Sequence, residues 1–283
     1  VAWSFPGRVA ALRQRARVGS HLPWRFSSFC LMKRPPVYLT SDVHLGAIRD
    51  ENEAAFLSWL EEAGARAETV FLNGDLFDYW FEYGTVIPQG YTRALGALAA
   101  VVDGGVDVHL VGGNHDWWGG RYLEEEVGLR IHYDPVDLTL AGRRVHAAHG
   151  DGLGPGDLGY KALKAVIRSR PFRWAYRWLH PDLGGLVARQ ASSTHQRGAP
   201  DANSLRLARR LEDWARETLA ARPEIDLVLL GHTHVPALVE VAPGRFYLNC
   251  GDWVYHRTFA VLEEGAAPSL LSWNRDGVGT PFV

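Results

Sequence analysis

The sequence predicts an α/β protein built from stacked sheets with helices packed around them. Short apolar runs recur without polar alternation, which is typical of buried strands. Helix-like stretches separate the first three runs, and this alternation favours a layered fold over a helix bundle. Short polar motifs follow several runs, as expected at the carboxyl edge of an open α/β sheet, where such proteins bind ligands. At 283 residues the chain can form one large α/β domain with additions, or two small domains.

The predicted elements follow one another along the chain. The first half contains strands and helices in alternation, with strands at 37–40, 69–73 and 106–111 and helices at about 51–63 and 92–102. The second half adds strands at 136–140, 143–148, 226–230, 237–241, 245–249, 258–262 and 270–273. Such a series of short strands indicates more than one sheet.

One of the short polar motifs is His149-Gly150-Asp151. Between it and residue 226 lie about 75 residues with almost no strand signal. Helices are predicted at 158–169, 172–179, 183–190 and 204–221, with Asp157 as an N-cap. We refer to residues 157–222 as the helical insertion. Its position directly after a candidate ligand loop favours a lid that selects the substrate.

The start of the helical insertion is basic and aromatic. Residues 158–181 contain no acid and six positive charges, and the aromatic side chains interleave with them: Lys161, Lys164, Arg168, Arg170, Phe172, Arg173, Trp174, Tyr176, Arg177 and Trp178. Two interpretations remain open. The aromatics can form core with the arginines as a solvated face, or the segment can bind an amphiphilic ligand at a boundary between water and an apolar phase.

Composition excludes several classes of protein. The net charge of −2 gives no general attraction to nucleic acid, so no nucleic-acid partner is expected. Two cysteines are too few for a disulfide framework, which favours a reducing compartment. No apolar run reaches the roughly 18–20 residues that a membrane span needs.

The first 31 residues differ from the rest. They carry five arginines and no acid, and they lack the apolar stretch of a signal peptide. The only methionine, Met32, leads directly into the first predicted strand. We therefore expect residues 1–31 to be an extension that is disordered or not translated, and residues 32–283 to form the functional domain.

Five short polar motifs carry the candidate chemistry. They are Asp42-Val43-His44, Gly74-Asp75, Gly113-Asn114-His115-Asp116, His149-Gly150-Asp151 and Gly231-His232-Thr233-His234. Any one of them could be accidental, but five in this order, each after a strand-like run, predict one metal centre assembled from loops. The candidate metal ligands are Asp42, His44, Asp75, Asn114, His149, His232 and His234.

The donor set indicates two ions. Carboxylate, imidazole and amide donors without a thiolate suit Mn, Fe or Zn. The seven ligands exceed a tetrahedral set but divide well between two ions that share one carboxylate. Asp75 is the predicted bridge because it stands alone in its motif. One site then contains Asp42, His44 and His234, and the other contains Asn114, His149 and His232. Such a pair can supply a nucleophile and clamp a phosphoryl oxygen, so the centre predicts a hydrolase of phosphate esters or anhydrides.

With these motifs, residues 37 to about 262 resemble calcineurin-like metallophosphoesterases. Within that family the sequence is similar to bacterial UDP-2,3-diacylglucosamine diphosphatases through residues 41–46, 74–80, 149–157, 178–184 and 249–253. One departure is His115, where many of these diphosphatases have arginine and most other metallophosphoesterases have histidine. The resemblance implies two stacked mixed β-sheets flanked by helices, with a helical insertion.

The resemblance also implies a reaction. The chain would cleave the pyrophosphate of UDP-2,3-diacylglucosamine to UMP and 2,3-diacylglucosamine 1-phosphate, a step of lipid A biosynthesis. It would use two divalent ions, with Mn²⁺ favoured over Fe or Zn. The partner would be an amphiphilic nucleotide-sugar lipid, bound by a cytoplasmic protein that is peripheral on the inner membrane. The sequence carries no signal for the oligomeric state.

Roles for further residues follow from the same resemblance. His115 would protonate the leaving oxygen or stabilise the transition state, and Asp116 would orient its ring. Asp78 is expected to orient a ligand from outside the centre, with a simple cap as the alternative. Substrate phosphate contacts are expected from Arg93, Lys161 and Lys164, with a solvated face as the alternative.

Two other functions remain as alternatives. The chain could be a metallophosphoesterase of other specificity, such as a phosphodiesterase or a phosphoprotein phosphatase, and His115 supports this alternative. It could also be a non-catalytic scaffold that binds a membrane or a partner. A scaffold would be expected to have lost ligands, and none of the seven is missing.

Overall fold

The computed structural model describes residues 35–191, 200–274, 277 and 279–282, apart from the side chains of residues 188–191. The predicted extension at 1–31 lies outside these residues. The described strands are β1 Val37–Thr40, β2 Thr69–Leu72, β3 Asp107–Val111, β4 Arg130–His132, β5 Val136–Leu140, β6 Arg143–Ala147, β7 Leu227–Leu230, β8 Ala237–Ala242, β9 Arg245–Asn249, β10 Thr258–Leu262, β11 Ser269–Trp273 and β12 Gly279–Pro281. The helices are α1 Asp50–Arg66, α2 Thr92–Asp103, α3 Leu158–Ile167, α4 Arg170–Arg177, α5 Pro181–Ala191 and α6 Ala202–Ala221, together with a π-helical turn at Tyr122–Glu126.

The strands form two mixed sheets. The first has the order β12-β11-β10-β1-β2-β3-β4, in which β1 to β4 are parallel and β10 to β12 are antiparallel. The second has the order β5-β6-β7-β9-β8, in which β6, β7 and β9 are parallel. Two mixed sheets with flanking helices confirm the predicted fold class.

The period-two alternation of each strand explains how the layers pack. Val37 and Leu39 of β1 point into an apolar cluster shared with Leu227 and Leu229 of β7, so this cluster lies between the two sheets. Tyr38, between them in sequence, joins a second cluster with side chains of α1 and α2. On the outer side of the second sheet, α6 packs against β7 and β9 through a third cluster. The order of layers is therefore helix, sheet, sheet, helix.

Each predicted strand and helix is present, with ends that differ by a few residues. The strands β4 and β12 and the π-helical turn were not predicted. In β4 both terminal residues are polar and no side chain is fully buried, so no apolar run marks it. β12 is a short edge strand, Gly279–Pro281, and it contains glycine and proline, the two residue types that disfavour strands.

The four helices of the helical insertion are present, and Asp157 is the N-cap residue of α3 as predicted. Asp157 precedes α3 in a left-handed conformation with φ 52° and makes no capping hydrogen bond from its side chain. Trp174 and Trp178 are 67% and 77% exposed, so the interpretation that the aromatic side chains of this segment form core is wrong for these two residues. No described helix is both long enough and apolar enough to cross a membrane.

Candidate metal centre

Loops from both sheets bring the predicted ligands together. The loops after β1, β2 and β3 supply Asp42, His44, Asp75 and Asn114, and those after β6 and β7 supply His149, His232 and His234. Asp42, His44 and His234 form one group whose ligand atoms lie within 4.8 Å of one another, and Asp75, His149 and His232 form another. These groups correspond to the division predicted from sequence, with Asp75 placed in the second.

Asp75 lies between the two groups. Its Oδ2 is 3.7 Å from His44 Nε2 in the first group and 3.2 Å from His149 Nε2 in the second. Its Oδ1 faces the other way and accepts a hydrogen bond from the backbone N–H of His115 at 2.9 Å. One carboxylate oxygen is thus directed at donors of both groups, which is the arrangement that a bridging ligand requires.

Three of the imidazoles are oriented through Nδ1. His234 Nδ1 lies 2.9 Å from Asp252 Oδ2, and His149 Nδ1 lies 2.9 Å from the carbonyl oxygen of Asn73. His44 Nδ1 lies 3.3 Å from Asp78 Oδ1. Because each partner is an acceptor, Nδ1 of each ring is the donor in these contacts, and Nε2 of each ring faces the centre.

The inward-facing atoms require a positive charge. His44 Nε2 and His234 Nε2 are only 3.2 Å apart, so both nitrogens could bind one ion. His149 Nε2 and Asn114 Oδ1 are buried and have no hydrogen-bond partner among the described residues. Burial lowers the pKa of His149, but the nearby Asp75 carboxylate outweighs it and raises that pKa to about 10. Two imidazole nitrogens bound to one ion at about 2.0–2.1 Å would be separated by roughly 3.0–3.4 Å, which includes the observed spacing. The residues therefore fit divalent cations.

The ligand loops are strained at the ligands themselves. Positive φ angles between 51° and 68° occur at Asp42, His44, Asp75, His232 and His234. Residues other than glycine adopt this conformation rarely, and such strain collects at functional sites. Hydrogen bonds between the loops stabilise this strained conformation. The backbone N–H of His232 donates to both carboxylate oxygens of Asp42, at 3.1 Å to Oδ1 and 3.0 Å to Oδ2.

Two glycines allow the loops to approach closely. A Cβ on Gly113 would overlap the Asp75 carboxylate, and a Cβ on Gly74 would overlap the His149 ring. Gly74 also has a φ of 91°, which side chains disfavour. The glycines of both motifs are therefore required by packing around the ligands.

The structure brings His115 to the centre but corrects the role of Asp116. His115 packs edge-on against the His44 ring, with ring centroids 4.8 Å apart. Its Nδ1 lies 2.7 Å from the carbonyl oxygen of Asp78 and 3.5 Å from Asp78 Oδ1. Asp116 instead accepts hydrogen bonds from backbone N–H groups, those of Gly113 at 2.8 Å and Leu76 at 2.7 Å. The prediction that Asp116 orients His115 is therefore wrong, because its carboxylate ties two ligand loops together while Asp78 contacts the ring.

Asp252 orients a candidate ligand, a role that was not predicted from the sequence. Its Oδ2 contacts His234, and its Oδ1 accepts from the backbone N–H groups of Tyr255 at 2.9 Å and His256 at 2.8 Å. Burial raises the pKa of Asp252, but the His234 and His256 rings beside its carboxylate bring that pKa well below its usual range. The only sequence signal was the motif at 249–253, which does not reveal the contact.

The three predicted substrate contacts lie in different surroundings. Lys164 Nζ is 2.7 Å from Asp151 Oδ2, and Lys161 Nζ donates to the carbonyl oxygen of Gly154 at 2.5 Å. Arg93 is exposed in the first turn of α2. Contact with substrate stays a prediction for all three.

Comparisons with known proteins find one matching family and several similar sequences. A family model described as calcineurin-like phosphoesterase matches residues 35–236. A UDP-2,3-diacylglucosamine hydrolase of Porphyromonas gingivalis is 32% identical, over 81% of this chain and 95% of that protein. Proteins of the same name from Aeromonas salmonicida and Stenotrophomonas maltophilia are 30% and 32% identical, over 81% and 75% of this chain and 93% and 89% of theirs.

Proposed function

The chain belongs to the calcineurin-like phosphoesterase family, and from this premise we propose that it hydrolyses the pyrophosphate of UDP-2,3-diacylglucosamine. The products would be UMP and 2,3-diacylglucosamine 1-phosphate, and the reaction would be a step of lipid A biosynthesis. Relatives named for this substrate are similar over about four fifths of the chain. The observation that carries the proposal is the position of Asp75 Oδ2 between donors of both ligand groups.

The family and the donor set imply bound divalent metal ions. We propose two Mn²⁺ ions, because oxygen and imidazole donors without a thiolate suit that ion. One would be held by Asp42, His44 and His234, the other by Asn114, His149 and His232, with Asp75 shared. Such ions supply Lewis-acid chemistry and a nucleophile at neutral pH.

His115 is the proposed proton donor. Because its Nδ1 donates to the carbonyl oxygen of Asp78, the atom that can carry a proton to the leaving phosphate oxygen is Nε2. The ring is 13% exposed and lies against the His44 ligand, so it borders the centre while remaining accessible to substrate. Asp78 is 5% exposed and lies near both rings, and it would fix their orientation together.

The helical insertion is the proposed site for the lipid part of the substrate and for peripheral contact with the inner membrane from the cytoplasmic side. Its first three helices expose large apolar side chains: Leu158, Leu163, Val166, Trp174, Trp178, Leu183, Leu186 and Val187. Arg170 and Arg177 are exposed on the same helices. Tryptophan and arginine together suit a boundary between an apolar phase and anionic headgroups. A lipid-linked substrate would reach the metal centre from such a boundary.

Product analysis tests the proposed function. Purified protein with Mn²⁺ should release UMP from UDP-2,3-diacylglucosamine, and a chelator should abolish the release. The Asp75→Ala variant is the control for contaminating activity. Hydrolysis of bis-p-nitrophenyl phosphate without UMP release from the lipid nucleotide would instead support a phosphodiesterase, the alternative that His115 favours.

A further inference from the structure

The C-terminal end of α3 contacts two ligand loops at once. Arg168 Nη2 donates to the carbonyl oxygen of Gly113 at 3.2 Å and to Asp151 Oδ2 at 3.3 Å. Gly113 directly precedes the candidate ligand Asn114, and Asp151 follows the candidate ligand His149 by two residues. These loops come from different sheets, since β3 belongs to the first and β6 to the second. One guanidinium thus joins the loops that carry two donors proposed for the same ion.

The contacts of Arg168 are largely shielded from water. Its side chain is 18% exposed, and Asp151 is 4% exposed. The guanidinium lies over the Trp117 ring at 4.8 Å from the centroid. Nη2 makes both hydrogen bonds while the plane of the guanidinium stacks on the Trp117 ring, and this stacking is specific to arginine, because the ammonium of lysine is a compact charge without a planar face.

Neighbouring contacts attach α3 to the same loops. Lys164 Nζ lies 2.7 Å from Asp151 Oδ2, and the Tyr160 hydroxyl donates to that oxygen at 3.1 Å. Trp118, in the loop after Asn114, donates from Nε1 to the carbonyl oxygen of Ile167 at 3.2 Å. Lys164 and Tyr160 reach the His149 loop, whereas Arg168 reaches both loops. Its removal should therefore change the spacing between the loops rather than only detach α3.

Asn114 depends on its backbone for position. Its Oδ1, the proposed donor atom, is buried and has no hydrogen-bond partner among the described residues, so no contact within the described protein fixes that atom. The carbonyl group bound by Arg168 belongs to the peptide bond that leads into Asn114. A shift of that peptide would move the amide oxygen directly.

We propose that Arg168 is a positioning residue that holds Asn114 and His149 at the spacing required by the second ion. Docking of the helical insertion is thereby coupled to completion of the metal centre. This inference rests on the part of the proposed function that assigns two ions to the centre, and it is independent of the substrate.

Mn²⁺ titration of the metal-free protein tests the inference, because it needs no turnover. Arg168→Met removes the guanidinium and keeps the length of the side chain. Arg173→Met is the matched control, since Arg173 also lies over the Trp117 ring, at 5.4 Å. Asn114→Ala identifies which binding step belongs to the second ion. We expect Arg168→Met to weaken that step by about 10- to 100-fold, as loss of groups that orient ligands commonly does, and to leave the other step within about twofold. Arg173→Met should bind both ions as the wild type does.

Three outcomes overturn the proposal: wild-type binding of both ions by Arg168→Met, equal weakening of both steps, or the same change in Arg173→Met. The melting temperature of each metal-free variant shows whether it folds. If Arg168→Met does not fold, Arg168→Lys decides, because it keeps the charge opposite Asp151 but loses the planar group that stacks on Trp117. It should weaken the second step at least about threefold, and wild-type binding would overturn the proposal. A protein that releases no UMP but shows the selective loss would refute the proposed substrate and leave the role of Arg168 intact.

Discussion

His44 Nε2 and His234 Nε2 lie 3.2 Å apart in the candidate metal centre. Each ring is held in this orientation by a carboxylate at its Nδ1, at 3.3 Å for His44 and 2.9 Å for His234. A cation bound by both nitrogens and by the neighbouring Asp42 would fit this spacing.

Metal binding should stabilise the fold measurably. Ligand at 100 times its dissociation constant adds about 2.7 kcal/mol to the free energy of unfolding, which for a domain of this size raises the melting temperature by roughly 5–10 °C. Differential scanning fluorimetry with and without Mn²⁺ measures the shift. Asp75→Asn should lose most of it, because the shared carboxylate becomes a neutral amide. An equal shift in both proteins would indicate that the ion binds elsewhere.

Asp252→Asn should weaken binding of the ion held by His234. The amide can still contact Nδ1, but it no longer carries the charge that fixes the tautomer, and such losses commonly reduce metal affinity by about 10- to 100-fold. Asp137→Asn is the control, since Asp137 Oδ1 lies 2.6 Å from His146 Nδ1 and neither residue is a candidate ligand. Calorimetric Mn²⁺ titration distinguishes them. Equal affinities of the two variants would remove the role assigned to Asp252.

His115→Ala should reduce turnover less than Asp75→Ala. A pyrophosphate already has a good leaving group, so we expect a loss of about 10- to 100-fold for the histidine, at or below the lower end for general acids. For Asp75, which faces both ligand groups, the loss should exceed about 1000-fold. Steady-state kinetics on the lipid nucleotide give both values. The loss of turnover caused by His115→Ala should be larger on a diester with an alkoxide leaving group than on the lipid nucleotide. An equal loss on both substrates would argue against proton donation by His115.

Replacing Trp174 and Trp178 with serine should weaken binding to anionic vesicles. Burial of one large apolar side chain contributes about 1.5–3 kcal/mol, so the double variant should lose at least about tenfold in affinity. Tyr255→Ser is the matched control, because Tyr255 is 56% exposed and lies outside the helical insertion. Vesicle co-sedimentation measures the loss. If the control loses as much as the double variant, the helical insertion is not the docking surface.

The positions of the ligands could be predicted from sequence because each follows a strand. Parallel strands place their carboxyl ends at one edge, so Asp42, Asp75 and Asn114 had to approach each other once β1, β2 and β3 were recognised. His149 and His232 follow β6 and β7 in the same way.

Contacts made across loops could not be predicted. Asp78 rather than Asp116 contacts His115 because the loop after β2 folds over that ring, and no local pattern reports this. Asp252 contacts His234, which lies 18 residues earlier in the sequence, and the paired strands β8 and β9 lie between them in the chain. The helical periodicity of the sequence also could not show whether Trp174 is buried. Such periodicity identifies an amphipathic helix face, but it does not show which other residues pack against that face.

The most direct test is anomalous diffraction from Mn²⁺-soaked crystals at the manganese edge. We expect two peaks about 3.5–4 Å apart, one beside Asp42 and His234, the other beside Asn114 and His149, with Asp75 between them. A single peak, or peaks away from Asp75, would contradict this expectation.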